Sequence, residues 1–290
     1  MKNAQHWERV KPLWSFEDVV GLDKEKEKLL SIMDTIDRPR KILFYGPKDC
    51  GAGFLKKAFC GELSRKGFSL FVPDNTQIVN SFLKGEDLTG HCQSCIDSAP
   101  SVLDYGHSFK KTSITNSTVK YCYESLACAW RAVEEAGVPS LLVGTANSLI
   151  EPNDPMWEGA ILVKVGSPVY EQRLHFLNRR NENENMQFEN GLSMDTIAAI
   201  TAGFSYNDMS VFWMNKIAVP VRKRACEANP LYGKYGESDE IAANTAALKA
   251  IRSGEHRVSY EDIRNAAEEY VPAGLRGDLL EMSYMEALWA

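Results

Sequence analysis

The sequence predicts an α/β fold: a parallel sheet sandwiched by helices, followed by a small, all-helical domain. Three observations carry this. Short apolar runs alternate with helical patterns between about residues 40 and 165, the signature of a parallel sheet covered on both faces. One of those runs leads through a glycine-bounded loop directly into a helix. From about Pro168 onward the apolar spacing is helical only.

Taken in order, Phe16–Leu22 reads as a short extended segment and Asp23–Asp34 as a helix with Leu29, Leu30 and Met33 on one face. Lys41-Ile42-Leu43-Phe44-Tyr45 is a buried strand, and Phe54–Phe59 opens a helix. Leu70-Phe71-Val72 and Ser101-Val102-Leu103 are strands flanking a helix over Asp87–Ser98. A polar segment, Phe109–Ser117, precedes a long helix over Thr118–Ala136. Ser140–Thr145 and Ala160–Val165 complete the strands. The second domain has helices over Tyr170–Asn178, Met194–Thr201, Asn207–Ala228, Ala242–Ser253 and Tyr260–Tyr270. Asn181–Asn185 reads as a solvated turn and Ala228–Glu240 as a loop. The expected boundaries are an extension over 1–14, the α/β core over 15–168, and the helical domain with a C-terminal helix over 169–290.

Bulk properties narrow the function. A chain of 290 residues, 44% hydrophobic and 25% charged, has ample core material. A net charge of −6 argues against nucleic acid or an acidic membrane as partner. No apolar run approaches the roughly 18–20 residues that cross a bilayer. The first residues lack the apolar stretch of a secretory signal, and seven scattered cysteines fit reduced thiols, so a cytoplasmic location is expected. Cys92 and Cys95, after His91, form the one close pair; zinc needs four ligands and no matching second pair follows, so no metal site is expected.

The loop is the most informative stretch. In Tyr45-Gly46-Pro47-Lys48-Asp49-Cys50-Gly51-Ala52-Gly53, Gly46 and Gly51 keep the spacing of the phosphate-binding motif G-x-x-x-x-G-K-[ST]. Ala52 stands at the lysine that would reach the phosphates, and Gly53 at the hydroxyl that would hold Mg²⁺.

From Trp14 to about Leu288 the chain resembles the AAA clade of ATPases that includes the proteasomal ATPases and valosin-containing protein. The likeness is carried by Phe16-Glu17-Asp18-Val19-Val20-Gly21-Leu22, Ile78–Glu86, Ala99-Pro100-Ser101-Val102-Leu103, Val143-Gly144-Thr145-Ala146-Asn147, Ile200–Ser205 with Asp208, and Val258–Ile263. These markers stand in the family's order.

That resemblance allows the catalytic positions to be read one by one. Gly106 falls where the metal-binding aspartate belongs and His107 where the glutamate that polarises water belongs. Asp104 lies two residues earlier, about 6–7 Å along an even strand, too far to serve the same metal without local remodelling. Ala160 takes the first arginine that would reach a neighbouring subunit, and the second is lost in a deletion; such a finger contributes about 10³–10⁵ in rate. Asn147 remains as a phosphate contact, Gly203 begins the lid helix, and Tyr206-Asn207 replaces the small pair near adenine, where the ring could fill part of the base pocket. Phe82, Leu83, Lys84 and Gly85 match the loop that grips polypeptide in the central pore.

The resemblance therefore implies a degenerate, catalytically silent AAA-like subunit with weak or absent ATP or ADP binding. It would act through contacts with other protein subunits, an active AAA paralogue among them. The alternatives are a scaffold outside any ring and a module that senses nucleotide without hydrolysing it. Trp157, Trp213 and Trp289 are candidate interface anchors, with Trp213 in an apolar helix that also suits the core.

Overall fold

A computed structural model describes residues 7–74, 80, 83–84, 93–107, 117–146, 156–229 and 237–272. By contacts the chain divides into two units, Met1–Pro47 with Gly51–Gly166, and Lys48–Cys50 with Ser167–Ala290.

The first unit is built on a six-stranded sheet. Its strands are β1 (Trp7–Val10), β2 (Arg40–Tyr45), β3 (Ser69–Pro73), β4 (Ser101–His107), β5 (Ser140–Ala146) and β6 (Ile161–Lys164). Their order across the sheet is β1-β3-β4-β5-β2-β6, parallel throughout except for β1, which runs antiparallel along β3. The helices are α1 (Asp23–Met33), α2 (Ala52–Arg65), α3 (Gln93–Asp97) and α4 (Ser117–Ala136).

Alternation along the strands divides the core between two faces. Ile42, Phe44, Leu70, Val102, Leu141 and Val143 pack with Leu29 and Met33 of α1 and Leu55, Phe59 and Leu63 of α2. Leu43, Phe71, Leu103 and Leu142 pack with Trp7, Cys95 and the α4 residues Ala129, Trp130 and Val133. A strand buried on both faces must read as a continuous apolar run, which is why β5 was legible. Gly144 on β5 has a packing reason: a Cβ there would lie 2.4 Å from the Trp157 ring.

Several expectations need correction. Phe16–Asp18 is a 3-10 turn in which the Asp18 carboxylate accepts the Ser15 N–H, not an extended segment. Trp7–Val10, within the expected extension, is a sheet strand whose Trp7 is buried because it covers the α4 face. The strand expected over Ser101–Leu103, β4, runs on to His107. Trp157 and Trp213 are both buried, so neither is an interface anchor: Trp157 fills the space left by Gly144, and Trp213 lies in the core of the second unit. Trp289 lies outside the described residues, as do the 87–92 part of the expected Asp87–Ser98 helix and the 109–116 part of the polar Phe109–Ser117 segment.

The second unit is helical: α5 (Tyr170–Glu184), α6 (Met194–Ile200), α7 (Tyr206–Val211), a π-helical segment Phe212–Ala218, α8 (Val219–Glu227), α9 (Glu237–Ser253) and α10 (Tyr260–Glu269). Its core gathers Leu177, Ile197, Phe204, Phe212, Trp213, Ile217, Ile251 and Tyr270. The polar Asn181–Glu184 run continues α5 instead of forming the expected turn. The chain reverses one residue later, at Asn185 with φ 50°, and the Asn181 side chain bonds both backbone groups of Met186, at 2.9 and 3.1 Å. The π segment precedes Pro220, which has no N–H to give and whose ring clashes with an α-helical carbonyl four residues back.

Candidate functional site

The loop after β2 is held by backbone on both sides. Gly46 donates its N–H to the Ala146 carbonyl at 3.2 Å, and Val165 donates to Tyr45 at 2.8 Å. A Cβ on Gly46 would sit 1.9 Å from the Val165 carbonyl oxygen, so only glycine lets these segments meet. Pro47 is exposed, and Asp49 (φ 62°) and Gly51 (φ 98°) turn the chain through the left-handed region. Gly51 is the N-cap of α2 and offers no side chain to cap it. Ala52 and Gly53 are the first residues of α2, and the space around a Cβ on Gly53 is open to 4 Å.

One turn further along α2 lies Lys56, 4% exposed in the middle of the helix's buried face. Its ammonium forms a buried ion pair with Asp104 of β4 and donates to the Gly106 carbonyl at 3.4 Å. The Asp104 carboxylate also accepts the Gly106 N–H at 2.7 Å. The Gly106 carbonyl accepts a second bond, from the Thr145 hydroxyl at 3.1 Å.

The backbone makes this cluster possible. Asp104 opposes Val143 and Gly106 opposes Gly144, so the pairing of β4 with β5 slips by one residue between them. Gly106 takes φ 78°, a conformation that glycine adopts without strain. The even-strand spacing expected between Asp104 and Gly106 is therefore absent: the bulge sets them against adjacent residues of β5. Tyr105, on the other face, packs edge-on to Trp157 at 5.7 Å. Next to the ion pair, burial first and the Asp104 charge second push the Cys60 thiol well up.

The remaining positions fall as follows. His107 ends β4 opposite Thr145. Ala160 precedes β6 and bonds back to Trp157 at 3.0 Å. Leu83 is 75% exposed and Lys84 is exposed. Phe82, Gly85 and Asn147 lie outside the described residues, as does Cys92, while Cys95 is buried under the α4 face. In the second unit, Gly203 turns the chain with φ 81°, and the Tyr206 ring packs 5.2 Å from Phe176. Asp208 is buried with three bonds to its carboxylate: Ser205 N–H at 3.1 Å, Ser205 hydroxyl at 2.6 Å and Tyr270 hydroxyl at 2.9 Å.

Sequence reasoning missed Lys56. The available signal was a lysine on an otherwise apolar helix face, since a charge there requires a partner. Its partner, 48 residues away, is not readable from spacing.

Parallel strands in the order β3-β4-β5-β2-β6, a phosphate-type loop between β2 and α2, and a following helical unit define the class of fold as that of AAA domains. Its solved neighbours include the AAA domain of FIGL-1, at TM-score 0.65 and 15% identity over 100% of this chain and 94% of that one. The FIGL-1 AAA domain in complex with ADP gives 0.64 and 14% over 97% and 91%. A katanin structure concerned with self-assembly gives 0.61 and 16% over 96% and 91%. At these identities the likeness is one of fold. No family model matches the sequence, and no curated protein matches it.

Proposed function

We propose that this chain is a non-catalytic AAA-like subunit that works through contacts with other proteins, as a structural or regulatory member of a larger assembly. The observation that carries the reading is the combination at one loop. Backbone packing holds Gly46 and a left-handed φ holds Gly51, while the positions that serve only phosphate and metal are Ala52 and Gly53. Gly106, His107 and Ala160 extend the pattern to the metal ligand, the water-polarising group and the finger. Phosphoryl transfer rests on positioning and charge neutralisation, so a site lacking these groups together has little with which to stabilise the transition state. Binding of ATP or ADP is accordingly weak or absent, and the chain works in the cytoplasm.

Partnership with other subunits follows from what is retained among the described residues: an α/β core on a six-stranded sheet and a helical unit with its own apolar core. Self-assembly of the katanin neighbour supports looking for partners among AAA subunits. Leu83 and Lys84 are exposed, as a partner loop requires. The substitution at Ala160 favours, as the second reading, a scaffold outside any ring, because a subunit that activates its neighbour would keep the arginine.

The purified chain should release no phosphate from ATP above a buffer blank; robust magnesium-dependent turnover would overturn the reading. Affinity purification with mass spectrometry separates the two architectures: a stoichiometric AAA partner selects a shared assembly, and an unrelated complex selects the scaffold.

A further inference from the structure

We infer that Lys56 is the resident cation of the old nucleotide site, an ammonium built into the chain in place of a bound cation, which clamps α2 to β4 without any ligand. The inference deepens the proposed function and rests on it.

Three features of the geometry support it. Lys56 stands four residues after Ala52, about 6 Å along the helix and on the same face. Helical side chains lean toward the N-terminus, so a lysine stem from position 56 reaches back toward the level of the loop. Its ammonium arrives at the backbone of Gly106, the residue that occupies the metal-ligand position, and bonds its carbonyl. The bulge before Gly106 brings the Asp104 carboxylate to the same place, where it binds both the ammonium and the Gly106 N–H. One cation, one carboxylate and the strand backbone thus form a closed set.

The electrostatic consequence is exclusion. Asp104 already has a full positive charge in contact, and a divalent cation placed beside it would meet the ammonium at close range in a poorly hydrated setting. The mechanical consequence is a fixed contact between α2 and β4 that exists in the empty state. A subunit that serves by shape needs its shape to be independent of nucleotide, and this pair supplies that independence.

The test uses the full chain and thermal unfolding, with magnesium chloride and magnesium-ATP as probes. Wild-type protein should unfold at the same temperature, within about 1 °C, with and without either probe. Lys56→Met leaves Asp104 buried and unpaired, and should lower the midpoint by roughly 6–20 °C. Lys56→Met combined with Asp104→Leu removes both charges and should recover part of that loss, because a buried pair exchanged as a unit for apolar groups is near neutral while the Gly106 N–H loses its acceptor. The double variant also keeps the test decidable if the single variant fails to fold. A single variant as stable as wild type, or a double variant no better than the single, overturns the clamp. Stabilisation of wild type by magnesium-ATP of more than about 3 °C, without phosphate release, overturns the resident-cation inference while leaving catalytic silence intact. Phosphate release by the wild type sinks the proposed function itself.

Discussion

Gly46 and Gly53 bound the same loop and answer to different constraints. At Gly46 the Val165 backbone closes in, and an added methyl group would overlap its carbonyl oxygen. At Gly53 the space is open, so the fold would accept the hydroxyl that a metal site needs. The start of the loop is fixed by packing, whereas no packing fixes Gly53 at its end. On the proposed reading, residues with a structural duty persist here and those whose sole duty is chemistry are the ones replaced. The helical unit makes the same point from the other side. Its buried Asp208 carries no negotiable duty, because two residues and a helix start depend on its carboxylate.

The comparison breaks most sharply if the two glycines respond alike. Gly46→Ala forces a methyl group into backbone, which cannot yield as a side chain can, and should cost about 3 kcal/mol. Gly53→Ser, by contrast, should change stability by about 0.5 kcal/mol or less in a surface-accessible first turn. Denaturant titration of both variants measures the difference, and equal costs would show that the loop's end is also under packing constraint.

Next in size is Asp208→Ala. It removes the acceptor for the Ser205 N–H and the Tyr270 hydroxyl, both in the buried interior of the helical unit, and should cost about 2–3 kcal/mol. Tyr270→Phe removes only one donor and leaves the carboxylate its Ser205 bonds, so about 1 kcal/mol is expected. A Tyr270→Phe cost equal to that of Asp208→Ala would mean the cap contributes nothing.

How much of this was legible beforehand follows from how local each signal is. Strands such as Ser140–Ala146 are buried on both faces, and a continuous apolar run announces that directly. The strand–loop–helix unit was legible because glycine spacing and its flanks are neighbours in sequence. Trp7–Val10 was not, since an edge strand of four residues buries one side chain and leaves too short a period to detect. Asn181–Glu184 misled because polar composition resembles a turn, although the turn residue is Asn185. The buried pair was invisible for a different reason. Lys56 and Asp104 are brought together by a crossover and a bulge, neither of which leaves a pattern within either segment.

A smaller effect tests whether surface-accessible polar contacts matter as the buried ones do. Burial would raise the Asp262 carboxyl, but the forked Arg224 guanidinium, at 2.6 and 2.9 Å, and the bonds from Ser259 outweigh it, so its pKa is lowered. A carboxyl depressed in the folded state adds stability above its unfolded pKa of about 3.9, and that contribution is lost as the pH falls through the folded value. Arg224→Met should therefore move the acid-unfolding midpoint upward, while leaving a constant small deficit above about pH 6. Because Arg224 is nearly half exposed, added salt should shrink the difference. A midpoint that does not move, or that falls, would remove Arg224 from the account.

The smallest expected effect bears on the loop's end again. Ala52→Lys restores the motif's lysine at the first residue of α2, where a positive charge meets the unfavourable end of the helix dipole. The stability cost should stay below about 1 kcal/mol, because the position is only partly buried and no backbone closes on it. Phosphate release should remain at the blank. On the proposed reading the hydroxyl at Gly53, the carboxylates at Gly106 and His107, and the finger at Ala160 would still be missing, and groups that act as a unit in catalysis are not restored one at a time. The two readouts together decide the comparison. A silent variant of nearly unchanged stability fits a position released from chemistry and never claimed by packing. Strong destabilisation would mean that the interior around Lys56 already tolerates no second ammonium nearby, so that packing and charge together hold Ala52 in place.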